Sequence, residues 1–236
     1  MKSALKVVLT VLTSILAISI LTVPSFGLDD KVVGGRVCDQ SRVIELKSQI
    51  VSIATSNQTR RDNIDQVQAQ LQPLLSELIA LVPYRTETDK AYQVAGGWYN
   101  LWSNSRFGPF VDYAQVYQVV DKDGFYYNIS KNVAPFGTFT NYLRGAFSDA
   151  GDYLRIEFTR SITVNGWLNS GLNLSELSDA VESGAIDGPD EPRGPIGVQG
   201  DLRNAFVDDQ LRIVIGRSDG DAFDSIFILI RSDVVR

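Results

Sequence analysis

The chain contains no histidine, one cysteine and one methionine in 236 residues. Without histidine there is no Ser-His-Asp triad and no zinc site with imidazole ligands. The usual general base near neutral pH is also missing. A single cysteine, Cys38, excludes an intrachain disulfide, and it reads as an idle thiol in a linker rather than a reactive one. No phosphate-binding glycine loop, serine nucleophile elbow or Cys/His cluster occurs. Basic charge is also short: 22 Lys and Arg against 28 Asp and Glu give a net charge of −6. Phosphate recognition needs a basic field, so nucleic acid is not expected as a partner. The run Asp219-Gly-Asp221-Ala-Phe-Asp224 spaces carboxylates but lacks the late bidentate Glu of a calcium loop, and reads as a polar turn. No metal or cofactor is expected. A carboxylate pair for glycoside cleavage, assembled from distant acids, stays open. No internal repeat is visible.

What is present is apolar pattern. Hydrophobic residues make up 44% of the chain, normal for a globular protein. Lys2 and Lys6 precede an uncharged run, Val7–Leu28, interrupted by Pro24, Ser25 and Gly27. This predicts a signal peptide over 1–27; an uncleaved membrane anchor is the rival, and either exports the body. A linker follows over 28–38. Residues 39–83 read as two helices, with Val43, Leu46, Ile50 and Ile53 on one stripe. Val67, Leu71, Leu74, Leu75 and Leu78 belong to the other. Thr59-Arg-Arg-Asp62 resembles a capping box, and Pro73 should kink or limit the second helix. Docking of that stripe on a membrane is the rival to packing on the protein itself, but few Lys or Arg flank it.

From Tyr92 the periodicity becomes alternating, and about eight strands fit into 92–236. Turns are expected at Asp121–Gly124 and Asp149–Gly151, and a short helix with a terminal Gly over Asn173–Gly184. Leu154, Ile156, Phe158, Ile162 and Val164 share one face by spacing, and Arg160 falls on it. A bulge would explain that charge; a polar anchor for a ligand head group is the alternative. The segment 204–231 reads as a hairpin. Val207, Leu211, Ile213 and Ile215 share a face, and the return strand Ser225–Arg231 is apolar on both faces. Such a strand needs a core on one side and a cover on the other. Three sequons begin at Asn57, Asn128 and Asn173. Aromatic residues recur across the strands, among them Trp98, Trp102, Tyr117, Phe125, Tyr127 and Phe158; they either fill a core or line a cavity.

Two of these motifs carry a resemblance. Gly96-Gly97-Trp98-Tyr-Asn-Leu-Trp102-Ser, and Phe206-Val-Asp208-Asp-Gln-Leu211-Arg212-Ile213 with Gly216 and the return strand Ile226-Phe-Ile-Leu-Ile-Arg231, are similar to the opening and closing motifs of the plastid lipid-associated protein (fibrillin) family. Gly-x-Trp also opens lipocalin barrels. The resemblance implies a mainly β fold: a lipocalin-like antiparallel barrel of about eight strands under an N-terminal helical pair. It implies a non-catalytic protein that binds a hydrophobic small molecule or lipid, such as a carotenoid or quinone, at a photosynthetic membrane surface. With the export signal, that suits a thylakoid lumen or periplasm, or the plastid of an alga. The candidate ligand-binding residues are Trp98, Trp102, Tyr117, Phe125, Tyr127, Phe158, Arg160, Asp208 and Arg212, with Arg231 or Arg212 as a cation–π cover for Trp98. A solid barrel serving protein interaction, and an enzyme for a lipid-like substrate, stay open as alternatives.

Overall fold

The computed structural model describes residues 40–82, 87–105, 107–189, 195–218 and 224–236. The expected signal or anchor and the linker lie outside the described residues, as does most of the polar turn after Ser218.

Helices α1 (Gln40–Ser56) and α2 (Ile64–Leu81) form an antiparallel pair. Leu46, Ile50 and Ala54 recur every four residues, so α1 buries one stripe; α2 buries Val67, Leu71, Leu75 and Leu78. Each such Leu or Ile contributes about 1.5–3 kcal/mol of burial. A bidentate pair joins the helices, with Arg42 Nε and Nη2 donating to Glu77 Oε1 and Oε2 at 2.6 and 2.7 Å. The expected capping box does not form: Asn63 is the N-cap, and its side chain bonds no helix amide. Pro73 does not interrupt α2. It sits on the solvent side, where the Ala69 carbonyl that it leaves unbonded can meet water. A short helix that the alternating pattern hid, α3 (Glu87–Val94), leads into the sheet.

Eight antiparallel strands follow: β1 (Gly96–Ser103), β2 (Val111–Val120), β3 (Phe125–Ala134), β4 (Gly137–Asp149), β5 (Leu154–Asn165), β6 (Gln199–Val207), β7 (Leu211–Ser218) and β8 (Ser225–Arg231). Each pairs with the next, and β1 pairs with β8 through Trp98–Arg231 and Tyr99–Ile230, closing the barrel. Helix α4 (Leu174–Glu182) lies between β5 and β6, capped by Asn173, whose side chain accepts from the amides of Ser175 and Glu176.

Tracing the paired residues round the barrel sorts every strand into two faces. Trp98, Val120, Tyr126, Ile156, Val214 and Leu229 share one face and pack together in one cluster, so that face is the interior. Ile213, Ile226 and Ile228 lie on the other face and cluster with the buried stripes of α1 and α2. The return strand therefore has its two neighbours: Phe227 and Leu229 meet the interior, and the isoleucines lie under the helical pair.

One glycine is fixed by close approach. The C-terminal segment crosses β1 at Gly97, whose carbonyl accepts from the Ser232 amide at 3.0 Å. A Cβ on Gly97 would stand 2.3 Å from the Ser232 carbonyl oxygen. Only glycine admits that crossing.

Candidate functional site

The lumen is built in three levels. Its floor is Trp98. The indole N–H donates to the Val94 carbonyl of α3 at 2.8 Å, so the helix end and the ring hold each other. Arg231 lies over the ring at 3.9 Å and Arg212 at 5.9 Å. Arg231 also donates to the carbonyls of Ala95 and Gln93, at 2.6 and 3.0 Å, so its charge meets the C-terminal end of α3.

Above the floor is a polar level. Arg212 is fully buried; its Nε donates to Asn204 Oδ1 at 2.8 Å and its Nη1 to Gln118 Oε1 at 3.2 Å. Tyr126 donates to Asn128 Oδ1 at 2.9 Å. Burial pushes the Tyr126 phenol well above its ordinary value, against the nearby Arg212 charge, so it remains a neutral donor. Asn100 Oδ1 is buried and has no hydrogen-bond partner among the described residues. An acceptor left so costs about 1–3 kcal/mol, and a donor placed beside it is stabilised by a similar amount.

The third level is apolar and reachable. Leu143, Phe158, Leu202 and Phe227 face inward by register, yet all keep partial exposure, as do Asn128, Ser130 and Asn141. Outward residues beside Asn128 and Leu143 are drier, with Tyr142 2% exposed, Tyr127 0% and Ile129 1%, whereas outward Arg144, Glu157 and Arg203 are reached by solvent. In a solid barrel the inner side chains would be the drier set. Here solvent reaches part of the inner face near the middle of β3 and β4, although the inward partners Val116 and Ser161 stay buried, while helices and the C-terminal segment keep much of the outer face dry.

Three expected site residues line this lumen: Trp98, Phe158 and Arg212. The other six do not. Trp102 faces outward because a bulge at Leu101 shifts the register between Asn100 and Trp102. Tyr117, Phe125 and Tyr127 are outward by plain alternation from Gln118 and Tyr126. Tyr117 stacks on Trp167 at 6.3 Å between centroids, Phe125 lies 4.0 Å under Arg144, and Tyr127 donates to Glu182 of α4. Arg144 Nε meets the same Glu182 at 2.6 Å, so this group fastens α4 to the wall. The expected single face of β5 is also divided. A register shift at Thr159 leaves Leu154, Ile156 and Phe158 inside and puts Arg160, Ile162 and Val164 outside. Arg160 pairs with Asp187 at 2.8 Å. Asp208 stands in the β6–β7 turn, accepting the Gln210 and Leu211 amides at 2.9 and 2.8 Å and pairing with Lys47 of α1. That turn also separates Val207, which faces inward, from Leu211, Ile213 and Ile215, which face outward.

The lumen residues that the sequence reading passed over are Asn100, Gln118, Asn128 and Asn204. Their signal was available: each is an amide inside an apolar strand, and Gln118 sits between Val116 and Val120. Asn128 and Asn173 are also engaged structurally, inside the barrel and at the α4 cap. The open polar cleft lined by Arg61, Asn63, Gln68 and Asn104 lies away from the lumen, and its Arg61 donates to the carbonyls of Ser103 and Ser105. Among the described residues no group of three His, Cys, Asp or Glu could hold a metal, and no helix is long and apolar enough to cross a membrane. Compared with known proteins, the chain matches no family model and no curated sequence.

Proposed function

We propose that this chain binds a hydrophobic small molecule in the barrel lumen and carries it without chemical change. A carotenoid, quinone or lipid at a photosynthetic membrane is the class that the Gly-Trp and Asp-x-x-Leu-Arg-Ile motifs suggest, through their resemblance to the plastid lipid-associated proteins. The observation that carries the reading is the partial exposure of inward, mid-strand Asn128 and Leu143 beside dry outward neighbours. The levels suit a ligand with an apolar body and one polar end. Leu143, Phe158, Leu202 and Phe227 would take the body. Beside the buried Arg212 cluster, Asn100 Oδ1 offers an acceptor to a hydroxyl or carboxyl end. The test is solvent extraction of the purified protein followed by mass spectrometry. A stoichiometric apolar molecule is the expected result. Empty protein that also fails to take up an apolar fluorophore would overturn the carrier reading in favour of an interaction module. Conversion of an added lipid-like substrate would favour the enzyme.

A further inference from the structure

The end of the barrel opposite Trp98 carries an exposed apolar tip. Two short segments meet there: Gly108-Pro109-Phe110 before β2, and Ala134-Pro135-Phe136-Gly137 between β3 and β4. Val133 N–H donates to the Phe110 carbonyl at 2.7 Å and holds them side by side. Phe136 is 78% exposed, Val133 51% and Phe110 45%. Isolated exposed apolar residues are ordinary, but three on adjoining segments are not.

We propose that this tip inserts into an uncharged lipid surface and seats the barrel mouth on it. Three observations select lipid as the occupant. First, the tip has no charge of its own: residues 107–111 and 132–141 contain no Asp, Glu, Lys or Arg. Of the flanking charges, Asp112 and Lys131 pair at 3.4 Å, and Arg106 adds a single cation. Together with the net charge of −6, this selects zwitterionic or uncharged head groups over anionic ones. Second, the tip backbone carries fewer unpaired amides than an open strand edge would. Pro109 and Pro135 have no N–H, Val111 N–H reaches the Gly108 carbonyl at 3.1 Å, and Ala134 pairs with Gly137. Third, the tip is continuous with the lumen. The Phe136 ring lies 5.5 Å from that of Phe139, which faces inward and leads down β4 to Leu143. An apolar molecule could pass from the bilayer to the lumen over these rings without crossing water. That loading role rests on the carrier reading; the docking itself does not.

The test uses the full chain with phosphatidylcholine vesicles whose acyl chains are brominated. Phe136→Trp places an indole at the tip, and Tyr92→Trp places one on α3 at the closed end, where Tyr92 is 89% exposed. With vesicles, the Phe136→Trp indole should shift to the blue and be quenched, and the Tyr92→Trp indole should do neither. Phe110→Asp with Phe136→Asp, both at exposed positions, should weaken vesicle partition about tenfold or more with unchanged circular dichroism. Binding that leaves the Phe136→Trp indole unquenched, as attachment by the N-terminal apolar run alone would do, overturns the proposal. So does equal quenching of the two indoles, or binding only to anionic vesicles. Failed docking with a ligand still extractable sinks this proposal and leaves the carrier standing; docking with an empty lumen does the reverse.

Discussion

Tyr142 and Leu143 are neighbours on β4 and point to opposite faces, so they weigh the barrel wall against its interior. Tyr142 is 2% exposed on the outer face, in the same cluster as the α4 residues Leu174, Leu177 and Val181. Truncating a buried aromatic to alanine costs about 3–5 kcal/mol, through lost transfer energy and the cavity left behind. Leu143 faces inward and is already partly reached by solvent. Its truncation enlarges an accessible space instead of opening a dry one, so the expected cost is about 1 kcal/mol or less. Urea unfolding followed by circular dichroism measures both. With a slope near 2 kcal/mol per molar, Tyr142→Ala should lower the midpoint by roughly 2 M and Leu143→Ala by no more than about 0.5 M. The converse substitution, Leu143→Trp, should leave the midpoint nearly unchanged and exclude the extractable ligand. If Leu143→Ala is as costly as Tyr142→Ala, or Leu143→Trp loses the 1–3 kcal/mol typical of an overfilled core, the barrel is solid and the carrier has no room.

Three further outcomes are expected. Gly97→Ala drives a Cβ against the Ser232 carbonyl oxygen and Leu174, and should lose about 1–3 kcal/mol, or about 2–4 °C of Tm per kcal/mol; a Tm at or above wild type would contradict the close crossing. Burial alone would raise the Asp201 carboxyl, but hydrogen bonds from Arg155 and Arg217 outweigh it and hold the carboxyl below its ordinary value. Its stabilisation is therefore present above the unfolded carboxylate range, near about pH 4, and is lost as pH falls through the lower folded value. Asp201→Asn should lower the midpoint at neutral pH and flatten its decline in acid, and an unchanged acid limb would count against the pairing. Asp208→Ala should cost about 1–2 kcal/mol, by freeing two turn amides and Lys47, and leave ligand retention intact; loss of ligand without loss of stability would return Asp208 to the site.

The fold was legible because its periodicities are clean. The stripes on α1 and α2 and the two-faced apolarity of Ser225–Arg231 together imply a barrel wall with helices behind it. The turns at Asp121–Gly124 and Asp149–Gly151 announced themselves by composition. Site assignment was harder for a physical reason. Much of the outer face is buried too, so aromatic residues are dry on both faces and their presence does not mark the lumen. Single-residue bulges at Leu101 and Thr159 then invert the alternation, and nothing in Asn100-Leu101-Trp102 or Phe158-Thr159-Arg160 signals them. The amides at 100, 118, 128 and 204 were the better guide, because a polar group inside an apolar strand needs a reason to be there.

Ile213, Ile226 and Ile228, on which the leading helices rest, sit on β7 and β8, and β8 begins at Ser225, long after α2 ends at Leu81. As the polypeptide emerges from a ribosome, α1 can rest on β1 as soon as that strand is made, but the cluster that both helices share with β7 and β8 is complete only when almost everything else has followed. The seam between β1 and β8 also zips only at that point. Compaction is thus postponed to the close of synthesis, and slow, because such distant partners must find each other. A chain built in this order closes its barrel only when its last strand is in place.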